Sequence, residues 1–190
     1  MRLKIVQAGE PVLREKARPL SKVEIVSRET QELIEWMRET MHDAPGVGLA
    51  APQVGIGLQL AVIEDKPEYT RDIKPELLKE RERKPVAFHV IINPNIAPLA
   101  PEDASFFEGC LSLNGFTAVV PRARKVSVSC LDHRGEPRTI QASGWYARIL
   151  QHEIDHLQGR LYIDRMQPRT FMALDNYNRF WKDKPVKACR

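Results

Sequence analysis

The strongest periodic pattern in the chain lies in residues 21–43. Apolar side chains recur there with the three- and four-residue spacing of one helix face, at Val26, Leu33, Ile34, Met37 and Met41. Ser21 and Glu24 have the spacing of a capping box, which starts many helices. The pattern therefore predicts a single helix with one buried stripe. By contrast, residues 65–85 are highly charged and contain three prolines, which predicts a solvated surface excursion.

Shorter apolar runs bounded by turn residues predict strands. They are residues 58–64 (LQLAVIE), 86–96 (VAFHVIINPNI, ended by its Asn-Pro pair) and 161–166 (LYIDRM). Residues 125–143 predict two strands around the turn DHRGEP, with Cys130 as a small core side chain. Strands in short hairpins favour an α+β fold over a doubly wound parallel sheet.

Two further helices are predicted towards the C-terminus. Ser143 is placed to cap a helix over residues 144–158, and Gly159 is placed to end it. Residues 170–181 (TFMALDNYNRFW) predict a terminal helix. We therefore expect an α+β fold in which antiparallel strands pack around a central helix that carries the motif HExxH, with a C-terminal helix, in a single domain over residues 1–190.

Composition and charge narrow the class of protein. The chain has 190 residues, 43% of them hydrophobic, which is enough for one domain with a sizeable core. Its net charge of +4 is spread over nearly as many acids as bases, so we expect no direct readout of nucleic acid. We expect neither a signal peptide nor a membrane span, because the first residues form no apolar h-region and no apolar run reaches about 18 residues. Three cysteines, Cys110, Cys130 and Cys189, are too few for a disulfide framework and indicate a reducing compartment.

Residues 149–159, ILQHEIDHLQG, contain the clearest candidate for chemistry. His152 and His156 lie four positions apart, so on a helix both imidazoles share a face and can bind one metal ion. Glu153 projects beside them. The HExxH pattern is short and also arises by chance, which leaves two ordinary helix histidines as the alternative.

A catalytic metal site needs a third protein ligand and one open position. Zinc proteases with the pattern HExxHxxGxxH carry a third histidine where this chain has Tyr162, and His42, His89 and His133 show no reason to be recruited. The better candidate is Cys110, in FFEGCLSLNG, because a thiolate binds zinc or ferrous iron strongly. A buried small side chain is the alternative for this cysteine, and spacing alone leaves both open.

Three motifs in order resemble those of the peptide deformylase family. They are GVGLAAPQ (46–53), EGCLS (108–112) and QHEIDH (151–156), and the similarity covers most of the 190 residues. The resemblance implies an enzyme that removes the N-formyl group from the N-terminal methionine of new polypeptides. It also implies that Cys110, His152 and His156 are the metal ligands.

The resemblance further implies a mechanism. The metal would lower the pKa of a bound water, and the resulting hydroxide would attack the formyl carbon and release formate. Glu153 would be the general acid and base. The side-chain amide of Gln53 and the backbone N–H of Leu111 would stabilise the negative oxygen. Without the resemblance, Gln53 is equally well explained as a solvated loop residue.

Similarity also implies how substrate is held. Gly46 and Gly48 would allow close approach of the peptide, and Val47 with Gly48 would pair with its main chain as an added strand. Val47, Trp145, Ile149 and the His152 ring would wall the methionine pocket. Turn-forming glycines and core packing of Trp145 and Ile149 are the alternatives.

Other implications concern the metal, the partners and the compartment. Ferrous iron is the usual ion of the family and zinc is common in its organellar branch, which this chain resembles. The three ligands are compatible with both ions.

The resemblance implies that the partners are N-formylmethionyl nascent polypeptides. The ribosome would be a second partner, bound through the basic C-terminal residues 179–190, unless that tail is simply solvated. A bacterial member would be cytoplasmic, and a eukaryotic member would work inside a mitochondrion or plastid after losing a transit peptide.

One departure from the family concerns contacts with a longer peptide. Many bacterial members carry an arginine near the position of Thr117, and NGFTAVVP has none, which puts such contacts in doubt. Two other functions stay open. A zinc endopeptidase is disfavoured by Tyr162, and a binding module without catalysis is disfavoured because Glu153 and Gln53 are both present.

Overall fold

A computed structural model describes residues 1–101 and 103–186 of the chain. Its largest element is an antiparallel sheet with the spatial order β1-β2-β3-β6-β7. These strands are β1 (Gly48–Ala50), β2 (Leu60–Asp65), β3 (Val86–Pro98), β6 (Lys125–Leu131) and β7 (Pro137–Ser143). A second antiparallel sheet has the order β4-β5-β8, formed by β4 (Asp103–Cys110), β5 (Leu113–Ala123) and β8 (Met172–Ala173). Strands β1 and β4 thus each lie at the edge of a sheet.

Helices cover both faces of the larger sheet. The α-helices are α1 (Lys22–Ile25), α2 (Arg28–Asp43), α3 (Pro75–Glu80), α4 (Gly144–Leu157) and α5 (Leu174–Phe180). Ala61 and Ile63 of β2 belong to the core cluster that contains α4, whereas Leu60 and Val62 belong to the cluster that contains α2. Because both faces of β2 are buried, its residues 60–63 are all apolar. The predicted α+β fold around the HExxH helix is confirmed.

The helix predicted over residues 21–43 is interrupted, so the prediction of one continuous helix is wrong. Ser21 and Glu24 form the predicted capping box and start α1. A second cap, Ser27, accepts a hydrogen bond from the backbone N–H three residues on and starts α2. Val26 lies at the break and is 59% exposed, whereas the other members of the predicted stripe are buried in the core.

Two predicted strands also differ from the structure. Strand β3 does not end at its Asn-Pro pair but continues to Pro98, because Asn93 adopts a φ of 50° and the pairing shifts register there. The Asn93 side chain bonds the backbone N–H and C=O of Leu20, which holds this conformation. Residues 161–166 are not a strand; they contain a 3-10 turn over Tyr162–Asp164.

The C-terminal helix is present but shorter than predicted. The chain first forms β8, which pairs with β5, and only then enters α5. Residues 187–190, which include Cys189 and the end of the predicted basic tail, lie outside the described residues. None of the helices in the described part of the chain has the length and apolar character needed to cross a membrane.

The charged segment 65–85 is more than a solvated excursion. Asp65 is 1% exposed and its carboxylate accepts two hydrogen bonds from the Arg83 guanidinium, at 2.8 and 2.9 Å. The carbonyl of Arg81 accepts a hydrogen bond of 2.8 Å from the backbone N–H of Trp145. The segment therefore packs against the start of α4 and helps to position it.

Candidate active site

Helix α4 and the end of strand β4 bring three predicted metal ligands together. The sulfur of Cys110 lies 3.3 Å from Nε2 of His156, which lies 3.2 Å from Nε2 of His152. One ligand atom from each of the three residues lies within 4.8 Å of the others. Cys110 reaches this position because β4 ends there and a two-residue turn leads into β5.

These separations fit one shared metal ion. Two nitrogens bound to zinc about 2.0 Å away at a tetrahedral angle would be about 3.3 Å apart, close to the separation of the two imidazole nitrogens. Burial and the neighbouring His152 lower the pKa of His156, which favours the neutral imidazole that binds metals. Nδ1 of His152 lies 3.0 Å from a carboxylate oxygen of Glu108, which turns its other nitrogen towards the cluster.

Glu153 lies beside the cluster and is 3% exposed. Burial raises the pKa of its carboxyl to about 7, the neighbouring His152 opposes this rise, and the charge of Glu108 adds to it. Its Oε2 has no hydrogen-bond partner among the described residues. Gly48 lies directly against this side chain: a Cβ added at Gly48 would be 2.3 Å from Oε1 of Glu153.

Gln53 is buried near the candidate ligands rather than solvated, with 2% of its surface exposed. Its Oε1 accepts a hydrogen bond of 2.9 Å from the backbone N–H of Ala50. Its Nε2 therefore points the other way, 3.5 Å from the sulfur of Cys110 and 3.3 Å from Oγ of Ser112. The amide N–H groups face the cluster of candidate ligands.

The turn that carries Leu111 is held by the N-terminal segment. Nε2 of Gln7 donates a hydrogen bond of 2.9 Å to the carbonyl of Leu111. The backbone N–H of Ala8 donates one of 2.7 Å to the carbonyl of Ser112. The backbone N–H of Leu111 donates to none of the described residues. Gly46 faces this turn across the cleft, since a Cβ there would be 2.9 Å from Cδ1 of Leu111.

A buried network of charges lies behind the cluster, and the sequence-based predictions did not include it. Arg122 donates two hydrogen bonds of 2.9 Å to Glu108 and a third to Asp155, which also accepts two from Arg165. Arg148 donates to Glu108 as well. Burial disfavours the charged form of Glu108. The hydrogen bonds and positive charges of His152 and Arg122 outweigh burial and hold the pKa of this carboxyl below its ordinary value. The sequence held one signal of this network: the acidic residues Glu108 and Asp155 stand next to apolar residues in the motifs EGCLS and HEIDH.

The cluster opens into a cleft of about 460 Å³. The predicted pocket residues Val47, Trp145 and Ile149 all line it, as do Gly46 and Gly48. The segment over residues 65–85 contributes two further lining residues that were not predicted, Arg81 and Arg83. Their guanidiniums lie 5.3 and 5.2 Å from the centre of the Trp145 ring, close enough for cation–π contact.

Tyr162, which occupies the third-histidine position of the zinc protease pattern, packs in an apolar group with Ala118 and Val120. It is 1% exposed, and its ring centre lies 6.4 Å from that of His152. Tyr162 therefore packs behind the cluster instead of completing it.

Sequence comparison matches the chain to one family and to several relatives. Residues 2–171 match the model of the family described as polypeptide deformylase. "Peptide deformylase 1A, chloroplastic" from Solanum lycopersicum is 49% identical over 90% of this chain, and the match spans 62% of that relative. "Peptide deformylase 1" from Bifidobacterium longum is 45% identical over 97% of this chain and 82% of its own length. The chain thus spans less than two thirds of the plant relative.

Solved structures show the same architecture. The Met-Ala-Ser-bound structure of the class I type b peptide deformylase from Acinetobacter baumannii has a TM-score of 0.77 to this chain and 33% sequence identity. It covers 87% of this chain and 99% of the bacterial one. The actinonin complex of the deformylase from Ehrlichia chaffeensis is similarly close, with a TM-score of 0.75 and 32% identity over 87% of this chain and 89% of that one.

Proposed function

Because the chain belongs to the polypeptide deformylase family, we propose that it is a metal-dependent hydrolase that removes the N-formyl group from the N-terminal methionine of newly made polypeptides and releases formate. One observation carries the proposal: the candidate ligands Cys110, His152 and His156 meet in a cleft, with the buried carboxyl of Glu153 beside them.

Cys110, His152 and His156 would hold a divalent ion, either ferrous iron or zinc. When bound, the ion supplies a Lewis acid and a water that is nucleophilic near neutral pH. Glu108 keeps His152 oriented through its hydrogen bond to Nδ1. Arg122 and Arg148 donate hydrogen bonds to Glu108 in turn, which would hold its carboxylate in place against His152.

Glu153 is proposed as the group that moves the proton. Its free Oε2 accepts a proton from the attacking water and passes it to the departing amine nitrogen. Gly48 leaves room for the carboxylate at this position because it has no side chain. The rate that such a carboxyl can support depends strongly on its exact position.

Two N–H groups are proposed to stabilise the negative oxygen that forms on the formyl carbon. Nε2 of Gln53 faces the cluster because Ala50 holds the other end of the amide. The backbone N–H of Leu111 has no acceptor among the described residues, so it is available to a substrate oxygen. Donors fixed in advance need no rearrangement during the reaction.

The peptide is proposed to lie between the two sheets. Strands β1 and β4 end their sheets at the cleft, and an extended chain can add to such an edge through main-chain hydrogen bonds. The methionine side chain would enter the apolar space lined by Val47, Trp145 and Ile149, next to the His152 ring. The Met-Ala-Ser peptide in the Acinetobacter baumannii structure supports this class of substrate.

The proposal is tested by purifying the chain without oxygen, measuring its metal by elemental analysis and following formate release from formyl-Met-Ala-Ser. We expect about one metal per chain and formate release that a chelator abolishes. Glu153→Gln should retain the metal and lose at least about 100-fold in kcat. Bound metal without formate, or cleavage of an internal unformylated peptide, would overturn the proposal.

Ribosome binding and the cellular compartment stay predictions. Part of the basic tail lies outside the described residues. The relative from Arabidopsis thaliana is described as chloroplastic/mitochondrial and the human one as mitochondrial, whereas the relative from Bifidobacterium longum is bacterial, so both an organellar and a bacterial setting fit this chain. Pelleting of full-length and tail-deleted chain with ribosomes would test the docking, and equal pelleting would contradict it.

A further inference from the structure

The cleft has a second apolar wall that the proposed reaction does not use. Besides the pocket around Trp145 and Ile149, the cleft is lined by Phe107 of β4 and by Leu174 and Tyr177 of helix α5. Leu174 is 40% exposed although it is a large apolar residue. An exposed apolar residue that lines a substrate cleft is a candidate for contact with substrate.

Strand geometry determines which part of the substrate reaches this wall. Successive side chains of an extended peptide point to opposite faces, as they do in any strand. In β4 the side chain of Glu108 points towards His152 on one face. The side chain of Phe107 points to the other face, where its ring lies 4.7 Å from that of Tyr177.

A peptide added to the edge of β4 shares these two faces. Phe106, two positions before Glu108 and therefore on the same face, has its ring 6.4 Å from that of Trp145, so the pocket of Trp145 and Ile149 takes the methionine side chain on the Glu108 face. The side chain of the next residue must then lie on the Phe107 face, where α5 presents Leu174 and Tyr177 one helical turn apart.

Thr117, where many bacterial members carry an arginine, also lines the cleft, but its side chain is already engaged. Thr117 is 4% exposed, and its hydroxyl donates to the carbonyl of Glu108 at 2.7 Å. The Thr117 hydroxyl therefore offers little contact to the second residue, whereas α5 lies beside it, anchored next to β5 by the pairing of Phe116 with Ala173.

We propose that Phe107, Leu174 and Tyr177 form an apolar subsite for the residue that follows formylmethionine, so that this chain prefers formylated peptides with an apolar second residue. The inference rests on the proposed function. Leucine adds three carbons to alanine at that position, and a wall open to solvent on one side buries only part of them. We expect roughly a fivefold to tenfold gain in kcat/KM, mainly through KM.

The test compares formate release from formyl-Met-Leu-Ser, formyl-Met-Ala-Ser and formyl-Met-Asp-Ser by the metal-loaded full chain. We expect the leucine peptide to be the best of the three and the aspartate peptide the worst. Leu174→Ser should bring the ratio of leucine to alanine peptides close to one. Phe180→Ser is the matched control, because Phe180 is 48% exposed on the same helix but does not line the cleft. An unchanged ratio in Leu174→Ser, or no preference in the parent chain, would overturn the proposal.

A binding measurement separates failure of the subsite from failure of the proposed function. Calorimetry with the unformylated peptides Met-Leu-Ser and Met-Ala-Ser requires no turnover. Tighter binding of Met-Leu-Ser that Leu174→Ser removes would support the subsite even if no formate were released, a result that would refute only the hydrolase. Equal binding of the two peptides, or binding of neither, would overturn the subsite.

Discussion

Replacing Gly48 by alanine tests whether the position of the Glu153 carboxylate controls the reaction. The new methyl group would lie 2.3 Å from Oε1 of Glu153, 2.6 Å from its carboxyl carbon and 2.8 Å from Cγ. The φ angle of Gly48 is not in the left-handed region, so alanine can adopt the backbone conformation. The perturbation therefore acts first on the space that the glutamate occupies.

The size of the effect follows from these distances. Ordinary contacts begin near 3.4 Å, so the carboxylate must retreat by about 1 Å. A displacement of this size at a catalytic group costs on the order of 100-fold in rate. That loss corresponds to about 2.7 kcal/mol in the activation free energy. It should appear in kcat, since the three atoms nearest to the new methyl group all belong to Glu153.

The assay measures kcat and KM for formyl-Met-Ala-Ser, metal content and thermal stability in parallel. Gly57→Ala is the matched control, because a Cβ at Gly57 would meet nothing within 4 Å. We expect the control to keep its kcat and Gly48→Ala to keep its metal while losing turnover. If Gly48→Ala turns over as fast as the parent chain, the assignment of Glu153 as the proton carrier is refuted.

Three further predictions address the ligands, the buried charges and the core. Cys110→Ser should weaken metal retention during dialysis against a chelator, and retention equal to that of the parent would exclude the thiolate as a ligand. Glu108→Gln should lower metal affinity by about 10- to 100-fold and the free energy of unfolding by about 3 kcal/mol, because Arg122 and Arg148 lose the buried carboxylate that they share and Arg122 keeps only Asp155; unchanged urea denaturation would contradict this. Met37→Ala should lower the free energy of unfolding by about 2–5 kcal/mol, whereas Val26→Ala should change it by less than about 0.5 kcal/mol, and equal effects would show that the helix is continuous.

Local sequence patterns correctly predicted the features that depend only on residues close to each other along the chain. The capping box of Ser21 and the HExxH helix are both present, since each depends on residues three or four positions apart. The apolar run in β2 predicted a strand correctly. The same patterns overlooked the break at Ser27, because the periodicity of the apolar residues continues through it while a local hydrogen bond starts a new helix.

The sequence by itself determined the fold class, the family motifs and the set of candidate ligands, because these depend on residue types and on spacings along the chain. Only the tertiary structure decided how distant segments meet. It placed Gly48 against Glu153, paired Glu108 with Arg122 and with His152, 44 positions away, and turned helix α5 into a wall of the cleft. Such contacts depend on how two sheets pack around one helix, and periodicity along a single segment contains no information about that packing.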